Sequence, residues 1–237
     1  MNILALDTID DLLSVALETK TGSWYMEADA GMKHSEILLK CIDELFSISG
    51  FEKKDLDLVA CLEGPGSFTG LRIGFSTAKA LSLALGIPYI SVPTLDCIAY
   101  PVKFWPGLVI PAIDAKKQCF FTAFYRKNER LTDYMDATPQ QISTALQKLL
   151  LSVNEPVLLT GPAAEMLKTP LINNVQNLEL DLHGRCGRAK NLLEIAKNHK
   201  IDYNSNNDSG PLYIRKSDAE LNHGVDNKTG KLWINDR

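Results

Sequence analysis

Four glycines (Gly64, Gly66, Gly70 and Gly74) and the cation Arg72 stand within residues 64–79, where an apolar run over 56–62 enters a Gly-Pro-Gly turn and then a helical pattern that stops at Gly86. A strand-to-helix junction of this kind exposes backbone N–H groups at the positive end of a helix. Such a place suits an anion or a closely approaching backbone. Arg72 falls in or near the first helical turn, where a cation opposes the helix dipole, so the spacing asks for a negative partner. The glycines read equally well as packing residues that let the helix press against a sheet. Neither common phosphate loop is present: Walker A needs Gly-Lys-Ser/Thr, and a Rossmann turn needs glycine where Thr69 stands.

Carboxylates supply the second chemistry. Asp7 ends the apolar run that starts at Ile3, and Asp114 ends another at 108–113. Carboxylates at strand ends that face a helix N-terminus are the usual parts of a metal–phosphate site. Asp7, Thr8, Gly64, Gly66, Ser67, Arg72 and Asp114 therefore form a candidate anion or nucleotide cleft. The alternative is that Asp7 and Asp114 only cap the turns after them. Asp10 and Asp11 make the first turn strongly acidic, and without a cation that turn would repel a phosphate.

Other chemistries lack their parts. His34, His183, His199 and His223 stand far apart, and none makes the i, i+4 pair that puts two imidazoles on one helix face. No Gly-x-Ser-x-Gly elbow surrounds Ser67, so nothing local supports a nucleophile with a base. The five cysteines are odd in number and scattered without a Cys-x-x-Cys, which fits a reducing cytoplasm. Net charge is −4, which argues against a chain that grips nucleic acid by itself. The basic cluster at His183, Arg185, Arg188 and Lys190 reads as a solvated helix start. No apolar run reaches the roughly 18–20 residues of a membrane span.

The elements that must position these groups repeat. Residues 3–17 align with 110–124 at a shift of 107, bringing Ile3, Ala5, Asp7 and Ala16 onto Ile110, Ala112, Asp114 and Ala123. Each reads as a strand ending in aspartate, a polar turn and a second strand. Residues 58–65 and 156–162 both read as a buried strand, a Gly-Pro turn and a helix. The same order of devices in both halves predicts two related α/β lobes. We expect a first lobe over 1–100, a second over 101–205, a return segment at 206–222 packing on the first lobe, and a polar tail at 223–237. A third strand is expected at 24–28, one strand over 118–126, and helices at 35–49, 139–151 and 189–197. The apolar positions of 35–49 cover more than one core stripe, so the helix is either buried on two sides or shared with another subunit.

Several motifs occur together and in order: Ile3-Leu4-Ala5-Leu6-Asp7-Thr8, Lys33-His34-Ser35-Glu36 with Leu38-Leu39, the block 64–79, Val92-Pro93-Thr94-Leu95-Asp96, Ile113-Asp114-Ala115, and Pro211-x-Tyr213-x-Arg215 with Asp218-Ala219-Glu220. Over residues 1–221 the chain resembles the TsaB (YeaZ) family of threonylcarbamoyl-adenosine biosynthesis. The resemblance implies the actin-like ATPase fold, with two ribonuclease-H-like lobes. It implies a non-catalytic subunit that binds the catalytic paralogue TsaD and the ATPase TsaE, and meets tRNA only through the complex. It implies that His34, Ser35, Glu36, Leu38, Leu39, Ile42 and Leu45 form contacts either with a second copy or with the catalytic subunit. Thr94 and Ile98 match the positions of a metal-binding histidine pair in catalytic relatives, and Gly161-Pro162-Ala163 lacks the second glycine of their nucleotide turn. No metal or other cofactor is then expected for this chain, with ATP and Mg²⁺ entering with the complex. The competing expectation is a self-sufficient ATPase or phosphotransferase with Mg²⁺ on Asp7 and Asp114. A peptidase, which needs metal ligands or a nucleophile with its base, ranks lowest.

Overall fold

The computed structural model describes residues 1–150, 155–173, 175, 177–198 and 210–215. The expected tail and most of the expected return segment lie outside the described residues. The first sheet begins as an antiparallel meander of β1 (Ile3–Asp7), β2 (Leu12–Glu18) and β3 (Ser23–Asp29). Helix α1 (His34–Ser49) then crosses to β4 (Leu58–Gly64), parallel to β1, and α2 (Phe68–Leu85) crosses to β5 (Tyr89–Pro93). Parallel neighbours require such crossovers. Gly50 and Gly86 end the two helices in the left-handed region, at φ 64° and 66°.

The second sheet repeats the plan. β6 (Leu108–Asp114) pairs antiparallel with β7 (Phe120–Thr122), and β7 with β10 (Met135–Ala137). Helix α4 (Pro139–Leu150) precedes β11 (Val157–Thr160), which runs parallel to β6, and α5 (Ala164–Leu171) leads to β12 (Leu178–Leu180). The orders β3-β2-β1-β4-β5 and β10-β7-β6-β11-β12 are one topology used twice. Asp7 and Asp114 end corresponding strands, as the 107-residue shift predicts. The fold is thus the duplicated, two-lobed actin-like ATPase architecture. The single strand expected over 118–126 is broken. After β7 the chain leaves the β6–β7 ladder and forms a small hairpin, β8 (Tyr125–Arg126) with β9 (Glu129–Arg130), turned by Lys127 and Asn128 at positive φ.

Strand periodicity decides where the core lies. On β1, Leu4 and Leu6 face α1 and α2, while Ile3 and Ala5 face the opposite side. Both faces are covered, which is why β1 reads as a continuous apolar run rather than an alternation. The cover on the second face is α3 (Thr94–Ala99) and α6 (Ala189–Asn198). Ala189, Leu192, Leu193 and Ala196 of α6 pack there with Ile3, Ala5 and Val92, beside Val109, Ile113 and Tyr125 of the second lobe. The expected lobe boundary at 205 is therefore wrong: α6 belongs to the first lobe, and the chain has crossed back before residue 189. Its apolar face packs on the face of the first sheet that α1 and α2 leave open, whereas α4 and α5 cover one face of the second sheet. Among the described residues no helix is long and apolar enough to cross a membrane.

Candidate functional site

The Gly-rich junction is built around the first turn. Ser67 caps α2, its Oγ accepting from the Gly70 N–H, while the Ser67 N–H donates to the Ile9 carbonyl at 2.7 Å. Thr8 Oγ1 donates to the Gly70 carbonyl at 2.7 Å. A Cβ on Gly70 would stand 1.8 Å from the Thr8 carbonyl oxygen. One on Gly66 would stand 2.8 Å from Ile9 Cβ, and one on Gly74 2.7 Å from Thr8 Oγ1. The glycines bring the helix onto residues 8 and 9, so the packing reading explains Gly66, Gly70 and Gly74. Gly64 has φ 119°, and a Cβ there would meet the Leu212 carbonyl at 2.5 Å. Its N–H donates to Thr94 Oγ1 at 3.2 Å. The negative partner expected for Arg72 is replaced by an aromatic pair: the guanidinium lies 3.9 Å from the Phe68 ring centroid, and Nε donates to the Tyr213 hydroxyl at 3.3 Å.

Asp7 is wholly buried, and its partners come mostly from 180 residues away. Oδ2 accepts from the Arg188 backbone N–H at 2.8 Å, Arg188 Nε at 2.9 Å and Ser14 Oγ at 3.2 Å. Oδ1 accepts from the Ile9 N–H at 3.3 Å and Arg188 Nη2 at 3.4 Å. Nη2 also donates to Asp10 Oδ1 at 2.8 Å. Burial opposes the charge on Arg188, but the Asp7 and Asp10 carboxylates outweigh it and hold the guanidinium charged beyond its usual range. The solvated role expected for Arg188 is thus wrong, because the acidic first turn draws it inside. The N–H groups that open α6 are met by side chains of the first sheet. Gly187 donates to Glu27 Oε2 at 2.7 Å, Arg188 to Asp7, and Ala189 to Ser14 Oγ at 3.1 Å. These are groups a helix start cannot satisfy internally.

Between the lobes lies a cavity of about 690 Å³. Gly66 and Ser67 line it with Asp10, Asp11 and Phe68 on one side, and Asp114, Lys116, Lys117 and Met166 on the other. Of the expected cleft residues, Gly66, Ser67 and Asp114 meet there, whereas Asp7, Thr8 and Gly64 are buried behind it and Arg72 lies exposed on α2. Asp114 accepts from the Lys116 N–H at 2.7 Å and pairs with Lys116 Nζ at 2.8 Å, which is the turn-capping role. Burial alone would raise the Asp114 carboxyl, but Lys116 outweighs it and holds the group below its ordinary value. The segment 210–215 spans the cleft. The Leu212 N–H donates to the Glu63 carbonyl at 2.8 Å, and Arg215 grips Asp136 with two bonds of 2.6 Å and the Ala115 carbonyl at 2.7 Å. Thr94 and Ile98 are both buried, and among the described residues no three His, Cys, Asp or Glu side chains converge as metal ligands.

Glu63, half-buried at the end of β4, has its carboxyl pushed up by burial and by Asp96. A carboxyl raised in the fold lowers stability once the unfolded chain ionises, near 4.5, and the penalty is complete above the folded value. Glu63→Gln is expected to be more stable than wild type at pH 7, with the gain fading below pH 4.5. Urea titrations at pH 7 and pH 4 measure it, and equal gains at both would exclude this cause.

Helix α1 separates into two faces. Leu38 is 1% exposed, and His34, Ile42 and Leu45 are buried with it against the first sheet. His34 Nε2 hydrogen-bonds the Asp10 carbonyl at 2.6 Å. These four, expected at a partner interface, belong to the chain's own core. Ser35, Glu36 and Leu39 lie on the open face, Leu39 being 56% exposed, whereas Met32, 92% exposed, precedes the helix and lines the cleft. The apolar stripe looked too wide because α1 packs on both the β2–β3 hairpin and α2.

Residues 28–181 match the family described as TsaD, tRNA N6-adenosine threonylcarbamoyltransferase. The tRNA threonylcarbamoyladenosine biosynthesis protein TsaB of Bacillus subtilis (strain 168) is 28% identical over 68% of this chain and 71% of that protein. The TsaB of Escherichia coli (strain K12) is 35% identical over 54% of this chain and 57% of that protein. The solved structure of YeaZ from Pseudomonas aeruginosa superimposes with a TM-score of 0.69 at 22% identity, covering 90% of this chain and 99% of that one.

Proposed function

Since the chain belongs to the TsaD family of tRNA N6-adenosine threonylcarbamoyltransferases, and within it to the TsaB (YeaZ) group, we propose that it is a non-catalytic subunit of the assembly that places a threonylcarbamoyl group on the adenosine next to the anticodon. It works by holding a TsaD-type catalytic paralogue and a TsaE-type ATPase, and it meets tRNA through them. It needs no cofactor of its own, since ATP and Mg²⁺ enter with the complex, and its place of work is the cytoplasm.

The observation that carries this reading is the open side of α1. Leu39 presents apolar surface there beside Ser35 and Glu36, while the other side of the same helix is core. Exposed apolar side chains next to polar ones are what a partner helix packs on. Free copies pair through the same face as a homodimer.

The test is threonylcarbamoyl transfer to tRNA, reconstituted from the paralogue, the ATPase and the adenylate-forming enzyme, with and without this chain. Product is expected only when the chain is present; equal product without it overturns the reading. Leu39→Asp refines the test. At an exposed position it moves stability by no more than about 0.5 kcal/mol. It is expected to abolish co-purification with the paralogue while the melting curve stays in place.

A further inference from the structure

The fold family and the cleft between the lobes raise the question of a magnesium–nucleotide, which would need Asp7 to offer an oxygen to the cation. We infer that the Arg188 guanidinium takes the place at Asp7 that such a cation would hold, so that this chain does not take a magnesium–nucleotide through Asp7. The inference does not depend on the subunit role proposed above.

Three observations carry it. First, the carboxylate is saturated. Five donors reach its two oxygens, two from the Arg188 side chain, one each from the backbones of Arg188 and Ile9, and one from Ser14. An ionised carboxylate has about four lone-pair sites, so none is left for a metal. Second, the place is sealed. Asp7 is wholly buried and Arg188 is 1% exposed, whereas Mg²⁺ keeps several waters and demands oxygens at about 2.0–2.1 Å in near-octahedral array. Third, the cation is built in by the chain path. Arg188 sits where the backbone returns to cap α6 on the first sheet, and Gly187 beside it is closely fitted: a Cβ there would meet Ser14 Oγ at 2.5 Å and the Tyr25 hydroxyl at 2.7 Å. The acidic turn that asked for a cation thus finds a permanent one, bonded to Asp7 and Asp10 together. Asp114, the other carboxylate such a site would use, is engaged by Lys116.

The experiment titrates Mn²⁺, followed by electron paramagnetic resonance, and Mg·ADP, followed by calorimetry, into the full chain and its Arg188→Ala and Arg188→Gln variants. Wild type is expected to show no Mn²⁺ or Mg·ADP binding that depends on Asp7. Folded Arg188→Ala is expected to bind Mn²⁺ at least tenfold more tightly than wild type, and to lose that gain when Asp7→Asn is added. Glutamine keeps a donor against Asp7, so Arg188→Gln is expected to gain no Mn²⁺ affinity, as in wild type. Should Arg188→Ala not fold, the wild-type titration decides alone. Wild-type binding of either probe that Asp7→Asn removes would overturn the inference, as would a folded Arg188→Ala that gains no Mn²⁺ affinity.

Discussion

Gly70→Ala is expected to destabilise the first lobe by about 3 kcal/mol or more and to lower the melting temperature by roughly 10 °C. The new Cβ would sit 1.8 Å from the Thr8 carbonyl oxygen. That oxygen is backbone, so no side-chain rotation relieves the clash and α2 must move off the first turn by more than an ångström. The movement would also break the bonds that fasten the junction, Thr8 Oγ1 to the Gly70 carbonyl and the Ser67 N–H to the Ile9 carbonyl. Gly50→Ala is the control. Unlike Gly70 it lacks an easy backbone for a side chain, at φ 64°, but nothing stands within 4 Å of its Cβ. Its cost is conformational alone, about 1 kcal/mol. Thermal melts of the two variants separate the steric effect from the conformational one, and equal melting temperatures would show that the close approach of α2 does not govern stability.

The second large effect divides two neighbouring leucines. Leu38→Asp is expected to leave no cooperative unfolding transition at 37 °C. Removing a buried leucine side chain costs about 2–5 kcal/mol, and a carboxylate without a partner in its place adds several more. Together they reach the whole stability of an ordinary domain, about 5–15 kcal/mol. Leu39→Asp, one position on, is expected to melt like wild type and to fail only in partner binding. A lost complex in Leu38→Asp is therefore a folding result and says nothing about the interface. Circular dichroism melts of both variants check this, and a wild-type melt for Leu38→Asp would contradict the burial of that face.

What was legible in the chain was local or repeated. Gly50 and Gly86 mark helix ends through a backbone angle that neighbours do not alter. The aspartates at 7 and 114 mark matching strand ends because a duplicated topology carries its turn residues with it. What was not legible depended on partners distant in sequence. Glycine spacing cannot distinguish an anion from a carbonyl until Thr8 is placed beside Gly70. Nor does the pattern of α1 reveal which side meets the sheet, since Leu38 and Leu39 differ by one helical step and not by residue type. Arg188 read as a surface residue because its partners lie about 180 positions away. One signal did point to it: the cluster Asp7, Asp10, Asp11 was a negative turn in want of a positive group. The lobe boundary failed for a related reason. An amphipathic helix shows that it needs a sheet but not which one, and only its packing on β1, β2 and β4 in the folded chain assigns α6 to the first.

The return of α6 has a consequence for how the chain is made. A ribosome releases the five strands of the first sheet by residue 93, yet the helix that closes one of its faces spans residues 189–198. At about 5–20 residues per second, the nascent sheet waits roughly 5–20 s with Ile3, Ala5, Leu58 and Ala60 lacking part of their cover. The amino-terminal half is thus not an autonomous folding unit. A fragment cut at residue 180 would contain every described strand of both sheets and is still expected to aggregate, while one cut after α6 is expected to stay in solution.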